Sequence, residues 1–186
     1  VIVSRYKNIK NINIEFSLGK VEDQTGRRVL KAYDKLHDYF LLVYGDNYWP
    51  IELDAMWDNY QETDSRVSTT VFSNKNGTGE YGFENNVVVS QSGQVINYDK
   101  ERKSNESNGI DIGYFIVEKN ALDTKLPGNI SFEVDMLPKF IYKKNLGAYV
   151  TNNQYYYITN LKTLNDFEKA ALKENFNSLH NDYFTI

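Results

Sequence analysis

The chain has no cysteine among its 186 residues, and only two histidines, three prolines and two methionines. Without thiols it can form neither a disulfide nor a thiolate metal site, and His37 and His180 stand too far apart in sequence to make a local pair of metal ligands. Any metal would be held mainly by oxygen, which favours magnesium or manganese over zinc. Long apolar runs are missing as well. No stretch approaches the ~20 residues of a membrane helix, and Val1 to Lys10 lacks the basic-then-apolar order of a signal peptide. The expectation is a cytoplasmic protein with no membrane partner. Positive charge is scattered apart from Lys100, Arg102 and Lys103, and the net charge is −4. That balance gives no duplex-binding surface, so a nucleic-acid partner is not expected. Three Asn-x-Ser/Thr sequons, at Asn76, Asn105 and Asn129, read as chance in an asparagine-rich chain without an export signal.

What is present is a hydrophobic content of 41%, enough for one domain over residues 1–186 with a real core. Phe40–Tyr44 (FLLVY) is a continuous apolar run ending at Gly45-Asp46, the pattern of a strand buried on both faces of a parallel sheet. Before it, Arg27–Tyr39 places Val29, Leu30, Tyr33 and Leu36 at helical spacing. After it, Ile51–Tyr60 reads as helix, and Val67–Phe72 (VSTTVF), rich in β-branched residues, as the next strand. Asn86–Ser90 and Gln94–Tyr98 flank a turn at Gln91-Ser92-Gly93 and form a hairpin. Lys100–Gly109 is an exposed polar loop, and Asp111–Val117 a third buried strand. Phe132–Tyr142 is a short helix limited by Pro138. Leu146–Thr151 and Tyr155–Thr159 pair across Asn152-Asn153, and a last helix starts near Leu164 behind a Thr163/Asp166 capping box. Helix and strand alternate, so the fold class is α/β, a Rossmann-like mixed, mainly parallel sheet flanked by helices.

A carboxylate just past the carboxyl end of a central strand lies where open α/β sheets bind ligands, which singles out Asp46. Gly-Asp after a strand is also a common turn, and the surrounding residues raise the functional reading. Gly19–Lys31 (GKVEDQTGRRVLK), Phe40–Asp46 with Ile51-Glu52-Leu53, Tyr81-Gly82, Val95–Lys100 (VINYDK), Asn108–Val117 (NGIDIGYFIV) and Phe132–Pro138 (FEVDMLP) follow one another in order. Together they resemble the sugar-1-phosphate nucleotidyltransferases, whose members make nucleotide sugars such as CDP-, dTDP-, UDP- or GDP-sugars. The resemblance covers nearly the whole chain.

The resemblance implies that Asp46 holds a catalytic Mg²⁺, that Lys100 reaches the sugar phosphate, that Gly82, Asp111, Gly113 and Glu133 contact the sugar, and that Gly26 lies near the base. Read from the residues alone, Lys100 is equally a solvated loop charge, with Lys103 an alternative in a shifted register, and Glu133 equally a helix N-terminal cap. The implied partners are a nucleoside triphosphate and a sugar 1-phosphate, and a homo-oligomer stays open. Two departures stand out. The family's opening G-x-G-T-R-L-x-P loop has no counterpart, which implies a chain that starts part-way through the nucleotide-binding half. Asn160 stands where a second metal-binding aspartate is expected, and an amide is the weaker magnesium ligand. Thr25-Gly26-Arg27 leans towards the cytidylyl branch, with guanylyl and thymidylyl transfer open. The alternatives are an inactive or truncated relative that binds a sugar phosphate without turnover, and a lectin-like domain using some of the 15 tyrosines, which more simply pack the core.

Overall fold

β-Branched and aromatic residues dominate four segments of the chain, and these become the strands of one sheet. A computed structural model describes residues 2–6 and 12–173; His180 lies outside them. In chain order the elements are α1 (Ile2–Tyr6), α2 (Thr25–Lys31), β1 (Tyr39–Val43), β2 (Asn47–Tyr48), α3 (Leu53–Glu62), β3 (Val67–Phe72), β4 (Val87–Val89), β5 (Val95–Tyr98), β6 (Ile110–Glu118), α4 (Leu137–Tyr142), β7 (Leu146–Thr151), β8 (Tyr156–Tyr157) and α5 (Leu161–Lys173). A π-helical turn at Phe132–Met136 leads directly into α4.

The sheet order is β1-β6-β3-β7. β3 and β7 are parallel, and β6 is antiparallel to both β1 and β3. Three strands therefore point one way and β6 is inserted against them, so the sheet is mixed α/β as expected, with one parallel pairing, β3–β7, and two antiparallel ones made by β6. Side chains alternate across β6 with period two. Ile110, Ile112, Tyr114 and Ile116 face a core completed by Trp49, Met56 and Tyr60 from the α3 side. Phe115 and Val117 face the other core, with Phe132, Met136, Leu137 and Phe140 from the π-turn and α4. All six residues of β3 are buried, as a strand covered on both faces requires.

Several expectations need correction. β1 occupies one edge among the described strands, with Tyr39 and Val43 exposed, so its unbroken apolar run does not mark burial on both faces. α2 is shorter than the periodicity suggests, giving way to a 3-10 turn at Tyr33–Lys35. Tyr156–Tyr157 pairs with Asn47–Tyr48 and not with β7, whose partner is β3. α5 starts at Leu161, three residues ahead of the expected start. Its cap is Asn160, whose Oδ1 accepts from the Thr163 amide at 3.0 Å while Thr163 Oγ1 accepts from the Asn160 amide at 3.1 Å.

α2 is fixed through its first turn. The Arg27 amide donates to the Ile130 carbonyl at 2.9 Å, and the Phe132 amide to Thr25 Oγ1 at 2.9 Å. Gly26 permits that approach: a Cβ there would stand 3.0 Å from the backbone of Ile130, Ser131 and Phe132. Gly26→Ala should therefore force the α2 start away from the 130–132 backbone. We expect a loss of about 1–3 kcal/mol, measured as a lower thermal or urea unfolding midpoint; an unchanged midpoint would show that the backbone yields freely.

Candidate active site

β6 does not run regularly past β3. Thr69 pairs with Phe115, but Val71, two residues on, pairs with Asp111, four residues back along β6. Gly113 sits in the excess with φ +78, a left-handed conformation that glycine adopts without strain. A Cβ there would also meet the Tyr44 side chain at 2.8 Å. Bulges beside active sites re-aim side chains, and this one turns the Asp111 carboxylate back along its own strand. Its Oδ1 accepts from the Gly113 amide at 3.0 Å and from Thr69 Oγ1 at 2.7 Å. The Asp111 amide donates to Asn86 Oδ1 at 2.9 Å.

Asp111 and Gly113 form part of the floor of a cleft of about 460 Å³, open towards the carboxyl ends of β1 and β5. Of the residues singled out in the sequence, Asp46, Lys100, Asp111, Gly113 and Glu133 all line it. Asp46 follows β1 as expected. Its carbonyl accepts from the Ile158 amide at 2.7 Å, while its exposed carboxylate has no hydrogen-bond partner among the described residues. Lys100 Nζ is 2.7 Å from Glu133 Oε2 across the cleft. With Lys100 about half exposed, such a pair is worth no more than about 1 kcal/mol, so an entering phosphate or hydroxyl can displace it. Glu133 is not the cap of its helical turn. Ser131 Oγ accepts from the Val134 amide, and the Asp135 carboxylate from the Ser131 amide, which leaves Glu133 to face the cleft. π-turns recur at functional sites for this reason, since they displace one side chain from the helical register.

Three of the named residues lie elsewhere. Gly26 packs against the 130–132 backbone and positions the Glu133 turn from behind. Gly82 stands in the wall loop, its amide bound to the Gly79 carbonyl and its carbonyl to Asn74 Nδ2. Its neighbours Tyr81 and Glu84 are the ones that line the cleft. Asn160 follows the lining residue Thr159 and is engaged in the α5 cap. Lys103 pairs with Glu101 and does not line the cleft.

Sequence reasoning passed over Tyr44, Asn86, Asp99 and Arg102. Asp99 organises the loop that carries both cations. Its carboxylate accepts from the amides of Ser104 and Lys103 at 2.7 Å and of Glu101 at 3.0 Å. These bonds, that from Ser104 foremost, hold its carboxyl below the usual range. An aspartate opening a polar loop is the signature of such a side-chain-to-backbone turn, so Asp99 was within reach of the sequence. Burial pushes the Tyr44 and Tyr98 phenols up, keeping both neutral beside the carboxylates.

The carboxylates Asp46, Glu80, Glu84, Glu101, Asp111 and Glu133 outnumber the cations Lys100 and Arg102 in the lining. Such a cleft suits a divalent ion, and the Asp46 carboxylate, like that of Glu84, makes no competing bond among the described residues. It fits a hydrated magnesium, which takes one or two carboxylates and keeps several waters. Among the described residues no three carboxylate or histidine groups converge as a closed metal cage.

The sequence matches no family model and no curated protein. Solved structures do match. HddC from Yersinia pseudotuberculosis is 20% identical over 92% of this chain and 72% of its own, with a TM-score of 0.68; it has also been solved with GMP-PN. A protein from Bacillus anthracis, assigned as a glucose-1-phosphate thymidylyltransferase and solved with a sucrose, is 11% identical over 86% of this chain and 65% of its own, with a TM-score of 0.71. The inositol-1-phosphate CTP transferase of T. maritima is 15% identical over 84% and 64%, with a TM-score of 0.66. The chain has the nucleotidyltransferase fold. That fold fits the sugar-1-phosphate nucleotidyltransferase family that the sequence resembles.

Burial, followed by the nearby Glu133 charge, raises the Asp111 carboxyl from 3.8 to about 6. The folded protein thus holds this proton more tightly than the unfolded chain. Its contribution to stability is full below pH 3.8 and is lost as pH rises through about 6. Asp111→Asn should unfold at the same temperature as the parent near pH 3.5 and a few degrees higher at pH 7.5. Thermal melts across that range check it; parallel pH profiles would contradict the buried charge.

Proposed function

We propose that this protein transfers a nucleoside monophosphate from a nucleoside triphosphate to a sugar 1-phosphate. The supporting observation is that five residues from distant parts of the chain, Asp46, Lys100, Asp111, Gly113 and Glu133, gather in one cleft at the carboxyl end of a nucleotidyltransferase-type sheet. A phosphate oxygen of the sugar phosphate attacks the α-phosphorus. A new phosphorus–oxygen bond forms, the bond to the bridging oxygen breaks, and pyrophosphate leaves with the electron pair. Catalysis then consists of alignment and charge neutralisation. Magnesium, when bound, neutralises triphosphate charge and fixes the geometry of the α-phosphate.

Asp46 holds the metal from the end of β1. Lys100, released from Glu133 when substrate enters, meets the sugar phosphate. Glu133 and Asp111 accept hydrogen bonds from sugar hydroxyls, and the Gly113 bulge keeps Asp111 in place. Asn160 is assigned to the α5 cap rather than to the metal: its side-chain oxygen already serves the Thr163 amide, and a helix N-terminus repels a cation.

The test is sugar-phosphate-dependent pyrophosphate release, measured with each nucleoside triphosphate against a panel of sugar 1-phosphates and Mg²⁺. Turnover with at least one pair supports the reading. Sugar-phosphate binding with no release from any pair supports a binding module instead. Asp46→Asn should lower the rate at least a hundredfold while leaving the unfolding midpoint within about 0.5 kcal/mol of the parent, because it removes metal charge at an exposed site. Asn160→Asp keeps a good cap and should leave the magnesium concentration for half-maximal rate unchanged; a shift to lower concentration would return Asn160 to the metal.

A further inference from the structure

Arg102 has no role in the resemblance, yet it lines the same cleft. Its backbone is left-handed, φ +56, an uncommon state for a non-glycine residue and one that clusters at ligand sites. The Asp99 carboxylate maintains it by binding the amides on either side. The side chain is set with equal definition. Nη1 donates to the Glu84 carbonyl at 2.9 Å, and the guanidinium lies 4.5 Å from the centroid of the Tyr81 ring. Nη1 is the one guanidinium nitrogen with a hydrogen bond among the described residues, which leaves the remaining N–H donors of the fork for a ligand. No carboxylate lies within ion-pair distance of it among the described residues, whereas Lys100 is paired with Glu133.

We propose that Arg102 is the anion anchor of the cleft, taking the phosphate of the sugar phosphate before Lys100 is freed from Glu133. This inference rests on the sugar-phosphate reading above and extends it to a residue that reading does not use. An anion entering a cleft lined by six carboxylates is repelled everywhere except beside an uncommitted cation. Arg102 meets that condition, and its planar fork matches two phosphate oxygens at once. Stacking on Tyr81 and the bond to Glu84 fix the fork before the ligand arrives, so little side-chain entropy is lost on binding. Arg102 also offsets part of the rise in the Asp111 carboxyl, which places its field at the cleft floor.

The test is phosphorus NMR titration of the protein, in EDTA, with inorganic phosphate and with α-D-glucose 1-phosphate as probes. Four variants are compared with the parent: Arg102→Gln, Arg102→Lys, Tyr81→Leu and Lys100→Gln. Arg102→Gln should weaken both probes at least tenfold. Arg102→Lys should recover part of that loss, because it keeps the charge without the fork. Tyr81→Leu should weaken binding a few-fold with the charge intact, and Lys100→Gln less than Arg102→Gln. A purely structural arginine would lower the melting temperature of Arg102→Gln and leave the dissociation constant of its folded fraction unchanged, which overturns the proposal. Binding that survives in Arg102→Gln and falls in Lys100→Gln overturns it too, leaving the sugar-phosphate reading intact. A parent protein that binds neither probe overturns both.

Discussion

The central strand of the sheet carries a defect that the site cannot do without. β6 runs against its neighbours, and between Phe115 and Asp111 it holds more residues than β3 opposes. The surplus is absorbed at Gly113, the one residue type that takes φ +78 without a Cβ penalty. A regular strand would leave Asp111 facing the sheet packing as its neighbours do. The bulge instead directs it to an amide and a hydroxyl in the lining of the cleft. Tyr44 fills the space that a side chain at position 113 would occupy, so β1 and β6 are fitted to each other where the cleft begins.

Much else at the site is held from outside by contacts to backbone. Thr25, Gly26 and Arg27 dock α2 on residues 130–132 and thereby set the turn that presents Glu133. Asp99 gathers the amides of its loop and presents Lys100 and Arg102. Asn160 closes α5 beside Thr159. These anchors are exposed or part-buried polar groups whose bonds are made within a few residues or to backbone. They rely on geometry more than on apolar area, and loops built this way hold position while remaining able to shift by small amounts.

Much of the sheet was legible in the sequence, because period-two burial and β-branched composition report directly on strands. Val67–Phe72 and Leu146–Thr151 coincide with β3 and β7, and the hairpin of β4 and β5 with its turn. Strand partners were less legible. Tyr155–Thr159 has the pattern of a strand, but nothing local says that it pairs with Asn47–Tyr48 rather than with β7. The helix start misread at Leu164 was decided by the Asn160 cap, which hydrophobic spacing does not register. Among the residues singled out from motifs, Asp46, Lys100, Asp111, Gly113 and Glu133 line one cleft. Gly26 and Gly82 were found to shape the surroundings, and a motif letter cannot distinguish a glycine that touches ligand from one that lets the backbone close up. Arg102 was seen only as part of a basic cluster, because its importance depends on which of three neighbouring cations already has a partner.

The acidity of the cleft has a consequence for the order of events. On the proposed function, an approaching anion feels net repulsion everywhere but beside Arg102 while the carboxylates are unpaired, so its association rate should rise with ionic strength, opposite to the steering seen in oppositely charged pairs. A path in which a cation reaches the carboxylates first, or travels with the anion as its counter-ion, avoids that barrier. The wall carboxylates Glu80, Glu84 and Glu101, which need touch no substrate, thereby act on the direction of traffic through the site.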